Sequence, residues 1–500
     1  FLTDVHQSLG HFLTPLGTED RHMKHRYIVA LAVLGISGIG LKMTALMPTA
    51  SAAASTPAAA PPNFIVIFGE GAGWVSTSVQ MDDRNPASKG SGVRTPSLER
   101  LAATGMRFSD GYAASPRCTP SRAALLTGRS PAALHMTVVG AGEGGNGGKG
   151  GAATTRVIPA QYTTELPLSE TTIAELLKRS GYATAHFGKW HLGKVNPSQH
   201  GFDESDGPTS NGGPENVSDP NPKQALAMAA ELIGFMERQV KAGKPFYAQM
   251  SEYPNQTHKS AEELDEETRV IDSTVGQVLD AVEKLGIKNN TYIVYTTDHG
   301  TQGKNGVLAG GKGDVLEGGI RVPFLVSGPG VKGNVVSHVR VSATDLFPTF
   351  VALAGVKEPL PKLVEGGSLV PVLTGGGVGT VQRPREEFVV HFPHYDKNPQ
   401  GPASSILLGD YKLTHLYETG ENRLFDLSKD PGEKNDLAKQ MPDRVAQLEG
   451  RLNDYLKAVN ANMPSLNTSV QPGASSEGAS ASGMGGGMGG GGMGGGMAAQ

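Results

Sequence analysis

The sequence predicts an α/β fold: a large, mostly parallel central sheet flanked by helices, followed by a small C-terminal α+β domain with an antiparallel sheet. Three observations carry this expectation. Short apolar runs bounded by turn residues alternate with amphipathic helical stretches, the order that builds a parallel sheet covered by helices. From about residue 385 the pattern changes to closely spaced short strands before one last helix. The chain has 500 residues, 38% of them hydrophobic, which exceeds one average domain and allows a sizeable core.

Taken in order, residues 1–22 precede Met23 and are expected to be upstream sequence outside the natural product. Lys24-His25-Arg26 then leads an apolar run from Tyr27 to Leu41 and small residues ending Ala50-Ser51-Ala52, which reads as a signal peptide over 23–52. Export to the periplasm or out of the cell follows. The apolar run of about 15 residues is short of the ~20 that cross a bilayer, so no stable membrane span is expected. Residues 53–61 are an Ala/Pro/Ser/Thr linker, and Asn63–Phe68 reads as a buried strand entering the loop Gly69-Glu-Gly-Ala-Gly73.

Further strands are predicted at Phe246–Met250 and Tyr292–Thr296. Thr172 and Glu175 form a capping box at the start of a helix, and Ile271, Val275, Val278, Leu279 and Val282 mark one helical face. A catalytic domain over 62–378 is expected, then a small domain over 379–462 with strands at Phe388–Phe392, Ser405–Leu408, Lys412–Tyr417 and Arg423–Leu427 and a helix near Arg444–Val459. Residues 463–500 end in Gly-Met repeats with no core-forming pattern and are expected to be a disordered tail.

Net charge is −4 with no long basic run, which leaves no electrostatic footprint for nucleic acid. The chain has one cysteine, so no intramolecular disulfide forms, and in an oxidising compartment a spare thiol is a hazard. Cys118 is therefore either a buried small hydrophobe or a residue with a task. Its surroundings, Cys118-Thr-Pro-Ser-Arg122, run into Ala123-Ala-Leu-Leu-Thr-Gly-Arg129, with Thr119 suited to cap and Pro120 to the first helical position. The cysteine then sits at a helix N-terminus beside Arg122, where an anion is favoured and a reactive thiolate fits equally well.

The stretch Cys118–Arg129 resembles the sulfatase signature, Cys-x-Pro-Ser-Arg followed by Leu-Thr-Gly-Arg. Gly188-Lys-Trp-His-Leu-Gly193 resembles a second signature of that family, and Lys312-Gly313 with Glu317-Gly-Gly-Ile-Arg-Val-Pro323 a third. Thr297-Asp-His-Gly300, Asp345-Leu-Phe-Pro-Thr349 and Leu424-Phe-Asp-Leu427 also match in order, so the resemblance runs from about Asn63 to Leu456. It implies an alkaline phosphatase-like fold and a sulfuric ester hydrolase whose cysteine is oxidised to formylglycine by a maturation enzyme. One hydroxyl of the hydrated aldehyde attacks sulfur and the other later expels sulfate. A simple alcohol nucleophile would remain trapped as a stable sulfate ester.

Carried onto this chain, the resemblance makes Cys118 the nucleophile precursor, Arg122 its partner, and Lys189 and Lys312 the sulfate-binding lysines. His191 is the base for expelling sulfate. His258 is the candidate acid, although the family reads Pro-His where this chain has Pro254-Asn-Gln-Thr-His258. The implied metal ligands are Glu70, Cys118 as formylglycine, Asp298 and His299, with Ca²⁺ or another divalent cation as cofactor.

Two departures bear on that metal. The family places two adjacent aspartates after the first strand, where this chain has Glu70-Gly71, and Asp with Asn, or sometimes His, in the later motif, where His299 replaces an amide oxygen with an imidazole, a ligand better suited to transition metals. Asp82 and Asp83 follow in the next loop, but their spacing does not support a role as ligands. His391 and His394 stand at i and i+3 on or beside a predicted strand, which points them to opposite faces and excludes a zinc pair; packing or a place in the substrate pocket stays open for them. The expected substrates are sulfated carbohydrates or aryl sulfates. A phosphodiester or phosphonate monoester hydrolase of the same superfamily, which often carries Asp-His in the later motif, is one alternative. A non-catalytic sulfated-glycan binder, suggested by the ligand missing at Gly71, is the other.

Overall fold

The computed structural model describes residues 60–140, 155–210, 225–253, 261–303, 305–396 and 398–469, and for 261–267 the backbone alone. The expected signal peptide, most of the linker, His258 and the Gly-Met repeats lie outside the described residues.

Among the described residues the main sheet is built from β1 (Asn63–Gly69), β2 (Met106–Phe108), β3 (Ala183–Gly188), β4 (Glu204–Ser205), β5 (Phe246–Ser251), β6 (Thr291–Thr297), β7 (Phe324–Ser327) and β8 (Val335–Ser337). Their order is β8-β2-β7-β6-β1-β5-β3-β4. β7 runs antiparallel to β2 and β6, and the other pairings are parallel, so the sheet is mostly parallel as expected. β1 lies inside it and is buried throughout. Phe64, Val66 and Phe68 face one core and Ile65 and Ile67 the other, which is why the strand reads as an unbroken apolar run.

Helices cover both faces. Cys118–Thr127, Ile173–Arg179, Leu346–Leu353 and Val370–Thr374 pack on the first core. Pro96–Thr104, Ala225–Lys241 and Ala261–Lys284 pack on the second, the last through Val275, Val278, Leu279 and Val282. The Thr172/Glu175 capping box is present: Glu175 N–H donates to Thr172 Oγ1 (3.1 Å) and Thr172 N–H to Glu175 Oε2 (2.7 Å).

The C-terminal part adds an antiparallel sheet in sequential order: β9 (Phe388–Phe392), β10 (Ala403–Leu408), β11 (Tyr411–Leu416) and β12 (Asn422–Asp426). Helix Pro442–Ala458 covers one face of it through Leu448, Leu452, Tyr455 and Leu456. The other face packs Val390, Phe392, Leu407 and Phe425 against Tyr112, Val138, Val315 and Ile320. The small sheet is thus buried on both sides.

Two local expectations are corrected. Thr119 does not cap the nucleophile helix, which begins two residues earlier than expected, at Cys118, with Arg117 in the cap position; the Thr119 hydroxyl instead donates to the His191 carbonyl (2.9 Å). The tail expected from 463 is anchored at its start, because Ser465 and Leu466 pair with Ile158 and Val157 and Asn467 bonds Arg156 and Thr155. Among the described residues no helix is long and apolar enough to cross a membrane.

Candidate active site

Parallel strands send their C-terminal ends to one edge of a sheet, and the loops leaving those ends form the crevice where α/β folds bind ligands. Here β1 delivers Glu70 and Gly71, β3 delivers Lys189 and His191, and β6 delivers Asp298 and His299. Helix Cys118–Thr127, buried at every residue, starts at the same place.

Glu70 is the hub. Its Oε1 accepts from Cys118 Sγ at 3.1 Å and lies 3.5 Å from Lys312 Nζ. Its Oε2 accepts from Arg122 Nη2 at 2.7 Å and from Lys189 Nζ at 2.9 Å. Arg122 also donates to Asp298 Oδ2 (3.1 Å) and to the Lys189 carbonyl (2.8 Å), tying three loops to the nucleophile helix. Burial resists ionisation of Glu70, but Lys189 and Lys312 outweigh it and hold the carboxyl well below its ordinary range. Burial and the charge of Glu70 push the Cys118 thiol up, whereas Lys189, Lys312 and His299 draw it down, and the net result is well below a normal thiol.

Asp298 and His299 complete the cluster. Burial and the neighbouring Glu70 push Asp298 up to about 7. Burial would lower His299, but Asp298 overrides it and raises the imidazole to about 9. His299 Nδ1 faces the Gly300 carbonyl at 2.9 Å, and a carbonyl only accepts, so Nδ1 carries a proton. Its Nε2 lies 3.2 Å from Cys118 Sγ, 3.4 Å from Asp298 Oδ1 and 3.6 Å from Glu70 Oε1. Ligand atoms of Glu70, Cys118, Asp298 and His299 all fall within 4.8 Å of one another, close to twice a metal–ligand bond of about 2.0–2.6 Å, so one divalent ion can reach all four. The residues fit such an ion.

Gly71 stands beside this group with φ +62° and donates its N–H to Asp298 Oδ1 at 3.0 Å. A Cβ there would lie 3.2 Å from His299 Cε1. Gly188, which leads into Lys189, is equally constrained: its φ is +92° and a Cβ would meet the Ser251 carbonyl at 2.0 Å. His191 adopts φ +56°, unusual for a residue with a side chain, and is held there by its N–H to the Thr209 carbonyl (2.8 Å) and by the Thr119 hydroxyl on its own carbonyl.

Of the residues singled out in the sequence, Glu70, Cys118, Arg122, Lys189, Asp298, His299 and Lys312 meet in one cluster, and His191 is tied to its edge through Thr119. His258 lies outside the described residues. Asp82 pairs with Arg84 (2.9 Å) and Asp83 with His338 (3.2 Å), away from the cluster. His391 is bound between Ser404 Oγ (2.7 Å) and the Asn462 carbonyl (2.9 Å), and His394 bonds Thr137 Oγ1 (2.7 Å), so each is held by packing partners of its own. The sequence reading missed three contributors. Thr209 clamps the turn by accepting from Trp190 N–H (3.0 Å) and donating to the Gly188 carbonyl (2.6 Å). Arg117, immediately before Cys118, pairs with Asp396 at 3.1 Å, both buried. Glu252, at the end of β5, lines a cavity shared with Glu70 and Gly71, and burial pushes it up to about 8. Only Arg117 carried a local signal, its adjacency to the cysteine.

Comparison with known proteins follows the same lines. Residues 62–356 match the Sulfatase family model, and residues 311–462 match the model described as N-sulphoglucosamine sulphohydrolase, C-terminal. The chain is 30% identical to Arylsulfatase A of Homo sapiens, covering 77% of this chain and 85% of that protein. It is 28% identical to N-acetylgalactosamine-6-sulfatase of Mus musculus, covering 81% and 88%. In fold it is similar to a solved structure of Ps i-CgsB in complex with k-i-k-neocarrahexaose, with a TM-score of 0.63, 23% identity and coverage of 79% of this chain and 93% of that one. The cysteine at a helix start among two lysines, an arginine and two carboxylates, in a chain matching the family model over 62–356, has one reading: this chain belongs to the sulfatase family of sulfuric ester hydrolases.

Proposed function

We propose that the chain is exported and removes sulfate from sulfated carbohydrates, using a formylglycine made from Cys118 and a divalent cation held by Glu70, Asp298, His299 and the modified residue. The observation that carries this is the placement of Cys118 Sγ, 3.1 Å from Glu70 and 3.2 Å from His299 in a buried cluster flanked by Lys189, Lys312 and Arg122. In this reading the sulfur stands where a formylglycine oxygen would be. Conversion exchanges the sulfur, its hydrogen and one Cβ hydrogen of the cysteine side chain for one oxygen, with the oxidant supplied by a maturation enzyme. The hydrated aldehyde supplies a geminal diol, and the cation supplies polarisation of the sulfate.

The chain's own residues do the rest. Lys189 and Lys312 neutralise the sulfate oxygens, and burial makes each contact worth more than it is in water. Arg122 holds Glu70 and Asp298 in place. His258 protonates the alcohol oxygen as its bond to sulfur breaks. His191 takes the proton of the remaining hydroxyl as sulfate leaves, and water re-adds to the carbonyl carbon. Support for a carbohydrate substrate comes from the similarity to an N-acetylgalactosamine-6-sulfatase. The sequence pattern over 23–52 supports export.

Sulfate release from sulfated mono- and oligosaccharides, run beside an aryl sulfate and an aryl phosphodiester, tests the proposal. Turnover of sulfate esters well above that of the diester is expected. A preference for the diester would move the chain to the phosphodiesterase reading, and no turnover of any ester by formylglycine-bearing protein would leave only a binding role.

A further inference from the structure

We infer that Lys412, on an inner strand of the C-terminal sheet, is a positioning residue for sulfate binding: with Glu433 it clamps Glu317 and so fixes the loop that carries Lys312. The inference rests on the assignment above of Lys312 to the sulfate.

Lys412 lies on β11 opposite Leu407 and Phe425, which pack in the apolar core against Val315 and Ile320. Opposed residues of an antiparallel pair share a face, so the lysine points into that core. Its side chain is fully buried, and its ammonium lies 3.0 Å from Glu317 Oε1 and 3.0 Å from Glu433 Oε1, both carboxylates buried as completely. Glu433 Oε2 in turn accepts the Glu317 N–H at 2.6 Å, and the Tyr112 hydroxyl donates to Glu317 Oε2 at 2.8 Å. Glu317 is thus gripped at its backbone and at both carboxylate oxygens. Burial disfavours the ammonium of Lys412, but Glu433 and Glu317 outweigh it and raise the group above its ordinary range, so it stays charged. A buried ion cluster is a poor source of stability, because desolvation offsets the attraction. What it supplies here is geometry.

The turn that Glu317 begins transmits this hold without slack. Gly318 N–H donates to the Ala309 carbonyl at 2.6 Å, and a Cβ at 318 would meet the Gly310 carbonyl oxygen at 2.3 Å. A Cβ at 319 would meet the Asp314 carbonyl oxygen at 1.9 Å. Residues 318 and 319 therefore lie backbone against backbone on chain that flanks Lys312 on both sides. Lys312 N–H is itself held by the Thr301 carbonyl at 3.1 Å, and Gly313 N–H by the Pro116 carbonyl at 2.9 Å. The Lys312 ammonium makes a loose 3.5 Å contact with Glu70, so its place follows from the backbone beneath it. A shift of Glu317 moves that backbone. The Gly319 carbonyl also accepts the Gly300 N–H at 2.9 Å, a second route out of the turn that the variants distinguish.

Lys412→Met/Glu433→Gln removes one charge of each sign at nearly constant volume, while Glu317 keeps Tyr112 at 2.8 Å and Arg321 at 3.6 Å. The full-length variant is assayed for kcat/KM on an aryl sulfate per mole of formylglycine, alone and combined with Lys312→Ala, beside its melting temperature. With Lys312 present, a loss of roughly 10–100-fold is expected, the scale of a misplacement of about 1 Å, at a melting temperature close to that of wild type. Once Lys312 is alanine, the same two substitutions should cost little more, because the clamp acts through the lysine that has gone. A role confined to folding would lower kcat/KM by the same factor in both backgrounds. That result, or no loss in a folded variant, overturns the inference and leaves Lys312 on the sulfate. Normal kcat/KM in Lys312→Ala overturns the underlying assignment as well. Should the double variant not fold, Glu317→Gln, which leaves Lys412 and Glu433 as a balanced pair, goes through the same cycle and is read by the same outcomes.

Discussion

Replacing Lys312 by alanine separates chemistry from folding. Its ammonium lies 3.5 Å from Glu70 Oε1 and its side chain is 20% exposed, so it is the looser of the two lysines on that carboxylate. Glu70 keeps Arg122 at 2.7 Å and Lys189 at 2.9 Å when Lys312 is removed, so no buried charge is left alone. The fold should then lose no more than about 1 kcal/mol, the scale of a partly solvated ion pair. The loss to catalysis is larger, because the sulfate loses a cation at the moment charge moves onto it. Deleting one such preorganised group costs about 2.7–4 kcal/mol, or roughly 10²–10³ in rate. The assay is kcat/KM on an aryl sulfate, read beside the melting temperature and the formylglycine content of the same preparation. Near-normal kcat/KM in a well-folded Lys312→Ala protein would refute the assignment of Lys312 to the sulfate. A rate loss matched by a large fall in melting temperature would show that its role is structural.

Other expectations follow from the same geometry. Cys118→Ser should stall after transfer and accumulate a covalent sulfate ester on the new hydroxyl, visible as added mass; a mass unchanged after incubation with substrate would contradict the two-hydroxyl logic. Exhaustive chelation should abolish activity and a divalent ion should restore it, whereas indifference to chelation would remove the cation from the mechanism. Glu252 is held at about 8 by burial, above its ordinary value of 4.5. An acid with a raised folded-state pKa binds its proton more tightly when folded, so its ionisation lowers stability as pH rises from about 5 to 8. Glu252→Gln should therefore flatten the fall in melting temperature over that window, and an identical pH profile in wild type and variant would show that Glu252 is ionised in the native protein.

The legible parts of the molecule were those written in side-chain pattern. β1 shows in the apolar run Asn63–Phe68, helix Ile173–Arg179 in its capping box, and the cluster in three motifs whose residues the C-terminal strand ends gather. What stayed hidden depends on backbone conformation or on partners distant in sequence. Gly71 reads as a missing ligand, but its φ of +62° gives it a positive reason to be glycine. Thr119 has the composition of a helix cap, yet its hydroxyl is committed to His191 across the site. Nothing near Arg117 announces Asp396, which arrives from the loop after β9. The start of the C-terminal tail is held by backbone pairing with Val157 and Ile158, and two residues of strand carry no periodicity that could be read.

The central claim is that Cys118 is the precursor of the nucleophile, and the most direct measurement is the mass of the peptide carrying it, taken from preparations spanning a range of specific activity. Activity should rise in proportion to the fraction of peptide lighter by one sulfur and two hydrogens and heavier by one oxygen, and that fraction alone should react with an aldehyde-specific probe. Full activity in protein whose Cys118 peptide is entirely the unmodified thiol would contradict the account.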